Sequence, residues 1–297
     1  MDVGLYSIFG GHQVDIVPHV FEHYMDQGID PDNFFIAYHD NPVFPELKEK
    51  YFDHFDKFGI QPKFVFGGEL STYTGKWPLL LDKLRSMSRT KWMVRIDMDE
   101  LHEYPNGLDA IVSDCDNYGY DYVIGVWVDR LDVDGVFKKI ERDVSLWEQF
   151  PLVLMDYARL DHLFEVADKI HSENAPYFID TKKYRPRGSK MALARTVLPH
   201  TQSSHVIDDV SRYRRFPKLA HTHHFKFSES CVVHCELMAD NKYSESRLSV
   251  LDKLEYDKEK NSINMELVRY LIQTIETPKP FYINDNFPSN LPEPSWL

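Results

Sequence analysis

The chain is poor in cysteine. Cys115, Cys231 and Cys235 are the three in 297 residues, too few for a disulfide-built fold and suited to a reducing compartment. It lacks any apolar run near the ~20 residues a membrane-spanning helix needs, the longest stretches being of the kind seen at 122–128. The N-terminus has no basic segment followed by an apolar one, so no secretory leader is read and a cytoplasmic protein is expected. Basic residues are the minority, 34 against 47 acidic, for a net charge of −13. That charge repels nucleic acid and anionic lipid, and no nucleic-acid partner is expected. No low-complexity tract or fixed-period repeat interrupts the sequence. With 43% hydrophobic and 27% charged residues, disorder, collagen and coiled coil are excluded and a sizeable core can form.

What is present is an alternation of two periods. Residues 3–9 read as a buried strand ending at Gly10 and Gly11, after which Val14, Val17, Phe21 and Tyr24 recur at helical spacing. A second strand covers 33–38. Leu47, Tyr51, Phe55 and Phe58 share one helical face, with Gly59 where a C-terminal cap belongs. A third strand (62–66), a helix carrying Trp77, Leu80, Leu81, Leu84 and Met87, and a fourth strand (92–96) follow. Strands separated by helices predict an α/β fold whose mostly parallel sheet is flanked by helices. Such sheets bind ligands at the carboxyl ends of their strands. Beyond residue 101 the spacing predicts a helix with Leu108, Ile111, Val112 and Cys115 and a strand over 122–128. A last helix would carry Leu267, Tyr270 and Leu271, and the tail 278–297 would form an extended strap. Cys231 and Cys235, four apart, read as buried apolar groups on a helix.

Three stretches carry possible chemistry. In Arg95-Ile96-Asp97-Met98-Asp99-Glu100 the two aspartates are two residues apart at the end of the fourth strand, a spacing that turns both to one side. Paired carboxylates there suit a hard divalent cation, Mg²⁺ or Mn²⁺, shared with substrate phosphates; capping of a following helix is the alternative. The second stretch holds His221, His223, His224 and Lys226, preceded by Arg212, Arg214, Arg215 and Lys218. A basic patch in an acidic chain points to an anionic small ligand, and an imidazole can complete a metal site. The third, Asp129-Arg130-Leu131-Asp132-Val133-Asp134-Gly135, invites a calcium-loop reading. Arg130 stands where the first ligand belongs, and a guanidinium cannot coordinate calcium.

Taken in order, an N-terminal β/α half, the Asp97-x-Asp99-Glu100 motif, Asp129-Arg130 before an acidic Gly135 turn, and a late His224-Phe225-Lys226 motif resemble the family 2-like glycosyltransferases of the GT-A fold. The resemblance covers about residues 1–240. It implies one GT-A-like catalytic domain at 1–240, with a nucleotide-binding half at 1–100 and an acceptor half at 101–240, and a helical extension and strap at 241–297. It implies a metal-dependent transfer of sugar from a UDP- or GDP-sugar to a hydroxyl of a glycan or other acceptor, with inversion. Asp99 would ligate Mn²⁺ or Mg²⁺ directly, Asp97 would hold the ribose or the metal, and His224 would be the third ligand. Lys226, Arg214 or Arg215 would hold the departing phosphates, and Ser7, Phe9 and Asp40 the nucleobase end. Asp129 would be the base that takes the acceptor's proton, with Asp132 and Asp134 as substitutes, and Glu100 a support for the metal. Trp127, Tyr157, Tyr177, Tyr184 and Trp296 could stack on sugars.

The sequence departs from that family in having Gly10-Gly11-His12-Gln13 after the first strand rather than an Asn-Glu pair, and in its three clustered histidines. Two other readings stay open. One is a haloacid-dehalogenase-type phosphohydrolase, which also uses a strand followed by Asp-x-Asp; the other is a non-catalytic carbohydrate-binding protein on the same fold.

Overall fold

A computed structural model describes residues 1–68, 76–155, 189–198, 212–229, 255–267, 269 and 281–283. Cys231, Cys235, Tyr157, Tyr177, Tyr184, Tyr270, Leu271 and Trp296 lie outside the described residues. The chain divides into two compact units, each built from two stretches: 1–126 with 189–222, and 127–188 with 223–297.

The first unit contains the expected α/β sheet. Its strands are β1 (Val3–Gly10), β2 (Phe34–Asp40), β3 (Phe64–Gly67) and β4 (Trp92–Arg95). They lie in the order β3-β2-β1-β4, all neighbours parallel. Helices α1 (Val17–Asp26), α2 (Leu47–Lys57) and α3 (Lys76–Met87) make the crossovers. Both faces of the sheet are covered, which explains why β1 and β2 are near-continuous apolar runs rather than alternating ones. On one face Phe9 stacks on Phe21 of α1 at 5.4 Å and meets Phe55 of α2, while Tyr38 meets Tyr51 and Phe55. On the other, Tyr6, Ile8, Phe35, Ala37 and Met93 enclose Leu81 and Leu84 of α3, with Trp77 and Leu80 at the margin. Met87, the last residue of that apolar stripe, is largely exposed. The expected cap at Gly59 is present: φ is +68° and the next amide, Ile60 N–H, donates to the Phe55 carbonyl.

After β4 come β5 (Glu100–Glu103), α4 (Leu108–Tyr118) and β6 (Tyr122–Leu131). Then follow α5 (Leu146–Gln149), β7 (Leu152–Met155), β8 (Ser189–Arg195), β9 (Ala220–His224) and β10 (Phe281–Ile283). In the first unit β8 runs antiparallel between β4 and the start of β6, and β9 pairs with β5. In the second unit the rest of β6 pairs antiparallel with β7, and β7 with β10, so part of the expected C-terminal strap is a strand. Among the described residues no helix is long and apolar enough to cross a membrane.

Gly125 marks a close approach within the first unit. A Cβ there would lie 2.3 Å from Thr222 Oγ1 and 3.1 Å from the Ala192 Cβ, and Ala192 and Thr222 are both fully buried. Gly125→Ala is therefore expected to cost about 1–3 kcal/mol through overpacking, read as a lowered Tm in calorimetry. An unchanged Tm would show that β6 and β9 can separate without loss.

Candidate functional site

The strand order places one position of the first unit apart from the rest. The chain winds from β1 outward through β2 and β3, then returns to add β4 on the other side of β1. The carboxyl ends of β1 and β4 thus form a topological switch point, where loops diverge above and below the sheet and leave a crevice. Two segments meet there. After β1 come Gly10, Gly11, His12 and Gln13; after β4 comes the Asp97-Met98-Asp99 turn.

The strand expected over 92–96 ends at Arg95, so the aspartates sit in a turn closed by Glu100 N–H on the Asp97 carbonyl at 3.1 Å. Asp97 and Asp99 are half-buried, and Met98 between them is buried. Ser7 Oγ donates to the Ile96 carbonyl at 2.8 Å, tying β1 to the start of this turn. Gln13 Nε2 donates to Asp99 Oδ2 at 3.3 Å. Tyr51 Oη donates to the Gly11 carbonyl at 3.3 Å and contacts Met98 Sδ.

Beneath the turn lies a charged cluster that only coordinates reveal. Lys190 of β8, 1% exposed, sends its ammonium to Asp97 Oδ2 at 2.9 Å and to the fully buried Glu100 carboxylate. Glu100 Oε2 also accepts from the Asp97 amide at 2.8 Å. The buried Arg95 guanidinium approaches Asp97 Oδ1 at 3.4 Å. Two cations and two carboxylates compensate one another in a region of low polarisability. Nearby, burial first and the Lys190 charge second hold the His102 imidazole well below its ordinary pKa.

The cluster changes what each aspartate can do. Both oxygens of Asp97 already face a cation, which weakens that carboxylate as a metal ligand and leaves it suited to accept from a hydroxyl. Asp99 accepts from the Gln13 amide, and its carboxylate is of the hard oxygen type that a divalent ion takes. Glu100 is fully buried on Lys190, and its role is to hold the turn.

The remaining expected positions separate. Phe9 is fully buried in the aromatic core and Ser7 is fully buried on Ile96, which corrects their expected place at the nucleobase. Asp40 does lie at a strand's carboxyl end, beside Gly67 of β3, and pairs with Lys48 at 2.5 Å. Arg214 and Arg215 are corrected too. Arg215 bridges to Tyr122, and Tyr122 and Met93 both stand opposite Ala194 of β8. That level is four residues before Asp97, or roughly 13 Å along a strand, at the amino ends of β4 and β6. Arg214 Nη1 donates to the Tyr118 carbonyl in the last turn of α4 at 2.8 Å, and its amide donates to Asp121. A cation on a helix C-terminus is a structural use. His221 Nδ1 lies 3.6 Å from Glu103.

In the second unit, β6 and the chain through His224 carry two layers of side chains, one on each side. On one side Asp129, 1% exposed, accepts from His224 Nδ1 at 3.0 Å, and His224 stacks on Trp127 at 5.7 Å with 12° between the rings. On the other, Arg130 donates Nε–H to His223 Nδ1 at 3.0 Å and stacks over Trp147 at 4.6 Å, while His223 meets the Trp147 ring edge-on at 4.8 Å. The Lys226 ammonium stands 5.2 Å from the Phe227 ring and is nearly buried. The loop after β6 is an Asx turn: Asp132 Oδ1 accepts from Asp134 N–H at 2.9 Å and Oδ2 pairs with Lys138 at 2.7 Å. Those bonds explain the acidic spacing without calcium.

Comparison with known proteins adds little. No family model matches the chain, and no curated protein matches it. Among solved structures, S. aureus TarS aligns over 84% of this chain and 42% of its own, at 12% identity and TM-score 0.33. S. aureus TarS 1–349 in complex with UDP-GlcNAc aligns over 46% of this chain and 38% of its own, at 13% identity and TM-score 0.26. The complex of TarS 1–349 with UDP gives 46% and 40%, 12% identity and TM-score 0.26. The chain thus spans about two fifths of the length of these structures, and likeness at this level carries no argument about function.

Proposed function

We propose that the protein is a glycosyltransferase that moves a sugar from a nucleotide-sugar donor to an acceptor hydroxyl. The observation that carries this reading is the half-buried Asp97-Met98-Asp99 turn at the switch point between β1 and β4, held rigid by Lys190 and Glu100. A diphosphate leaving group needs positive charge as the bond to the sugar breaks. Mn²⁺ or Mg²⁺ would supply that charge as a Lewis acid and template, and Asp99 is the carboxylate in this turn best placed to hold it. Asp97, kept ionic and oriented by Arg95 and Lys190, would accept a hydroxyl of the donor. Asp40, at the end of β2, would face the base. The donor is a uridine or guanosine diphosphate sugar and the acceptor a glycan or other hydroxyl compound.

Calorimetric titration with UDP and GDP, each with and without Mn²⁺, tests the reading. One of the two is expected to bind, and removal of the ion with a chelator is expected to weaken binding by at least tenfold. Binding that ignores the ion would remove the metal from the mechanism. Release of inorganic phosphate from a phosphomonoester, with no nucleotide bound, would favour a phosphohydrolase. Sugar binding without nucleotide binding or turnover would favour a carbohydrate-binding protein.

A further inference from the structure

In the first unit, the main chain of β5 at Glu100 and His102 finds its partners in side chains of α1. The His102 amide donates to Tyr24 Oη at 2.9 Å, and Tyr24 Oη donates to the Glu100 carbonyl at 3.3 Å. The His102 carbonyl accepts from Gln27 Nε2 at 2.9 Å and lies 2.8 Å from His23 Nε2. The His102 ring is fully buried between the rings of Tyr24 and Tyr104, each 6.1 Å away and steeply inclined to it. Tyr104 Oη gives its one hydrogen to the Ala192 carbonyl at 2.8 Å. Toward His102 Nδ1, 3.3 Å away, it can therefore only accept. The neutral ring thus carries its hydrogen on Nδ1 and its lone pair on Nε2, and Nε2 is buried with no hydrogen-bond partner among the described residues.

A second proton on that ring would be a buried N–H donor without an acceptor, on a group that has become charged. The surroundings offer it little. The Lys190 ammonium of β8 and His23 of α1 oppose a positive charge there, while the Ala192 carbonyl and the Asp97 carboxylate favour one, and burial outweighs both. Glu100, on β5 itself, is taken up by Lys190. Burial keeps the Tyr24 and Tyr104 hydroxyls protonated far above their ordinary range. His23 is also held low by burial, against the pull of the His102 carbonyl, Glu103 and Asp26.

We propose that the seam between α1 and β5 is an acid-sensitive latch, closed by the neutral His102 ring. To take up a proton the ring leaves its enclosure, and the His102 amide and carbonyl leave Tyr24 and Gln27 with it. This frees the start of β5, where the Glu100 carboxylate holds the Asp97 amide, so the Asp97-Met98-Asp99 turn loses its support. The direction with pH is fixed by linkage. The closed seam keeps His102 neutral, whereas the open one lets it titrate at its ordinary value of about 6.5. Stability from this source is therefore complete above pH ~6.5 and is lost as the pH falls below it. β5 is four residues long and lies off the path of the main sheet, so it opens at a lower cost than β1 or β2.

Two measurements on the full chain test this. Denaturant unfolding of the wild type and of His102→Leu is followed from pH 8 to pH 5. Below pH 6.5 the wild-type unfolding constant is expected to rise by roughly tenfold more per pH unit than that of the variant, the effect of one proton. Parallel profiles would overturn the proposal. If His102→Leu does not fold, NMR of the wild-type histidine ring protons decides instead: His102 is expected to keep its neutral shift down to pH 5.5 for as long as the seam is closed, and a His102 that titrates near pH 6.5 in the closed seam would overturn it. The second measurement is hydrogen exchange at pH 7 and 5.5, read by mass spectrometry and corrected for the intrinsic rate. A peptide over 98–104 is expected to lose at least tenfold in protection while peptides from β1 and β2 keep theirs. Loss in all three together, or in none, would show that no latch opens there.

Discussion

Lys190→Met is expected to lower stability by about 3–5 kcal/mol, the cost of leaving a buried carboxylate without its partner. Glu100 is fully buried and its oxygen meets the Lys190 ammonium, which also reaches Asp97. Methionine fills much of the lysine's volume, so cavity formation contributes little and the charge is what is lost. In thermal melts the fall should be roughly 10 °C at a size of this order. The double variant Lys190→Met, Glu100→Gln should regain most of the loss, because the neutral amide still offers its oxygen to the Asp97 amide without an uncompensated charge. A single variant that melts within 2 °C of wild type would show that water reaches Glu100 and that the cluster is not the support of the turn.

Asp99→Asn carries the largest expected effect on ligand binding. The amide keeps the shape and can still meet Gln13, so the fold is expected to be untouched. What it loses is the charge that a hard cation requires. Mn²⁺-dependent nucleotide binding should weaken on the order of 100-fold or more, beyond the 10–100-fold typical of losing a group that only supports a ligand. Asp97→Asn should act differently. It leaves Lys190 and Arg95 with one carboxylate between them, so its first sign should be a lowered Tm and its effect on Mn²⁺ affinity should be the smaller of the two. Calorimetry on both variants decides the assignment, and equal losses of ion affinity would return Asp97 to the metal.

The first unit was legible in the sequence because its signals are local. The apolar spacing of Tyr51, Phe55, Leu81 and Leu84, and the positive φ of Gly59, are set by a residue's near neighbours along the chain, and each appears where periodicity put it. The Asp97-x-Asp99 turn was legible as a pair but not as an environment. Lys190 lies 93 residues from Asp97 in sequence, stands just before the apolar run 191–194 of β8, and becomes its partner only through the antiparallel register of β4 and β8. A lone lysine leading the run Met191–Ala194 was the available signal. Arg214 and Arg215 show the opposite failure. Their clustering is real, but sequence cannot say at which end of a strand a returning segment lands, and they land beside the start of β6. The same limit hid Phe9 and Ser7, whose strand-end positions suggested a ligand while their side chains were claimed by the core and by Ile96. β5 was missed because Glu100, His102 and Glu103 do not look like a strand until burial and pairing with β9 are known.

The first unit takes residues 189–222 from the far side of a long excursion, and this bears on any attempt to shorten the chain. A product stopped at residue 126 would keep all four parallel strands and their three crossover helices, yet would lose β8. The backbone amides and carbonyls of Trp92, Met93 and Val94 that β8 covers would then form an open, apolar sheet edge able to recruit a second copy. Such a fragment is headed for aggregation, and the deletion that preserves this half must rejoin 126 to 189 instead.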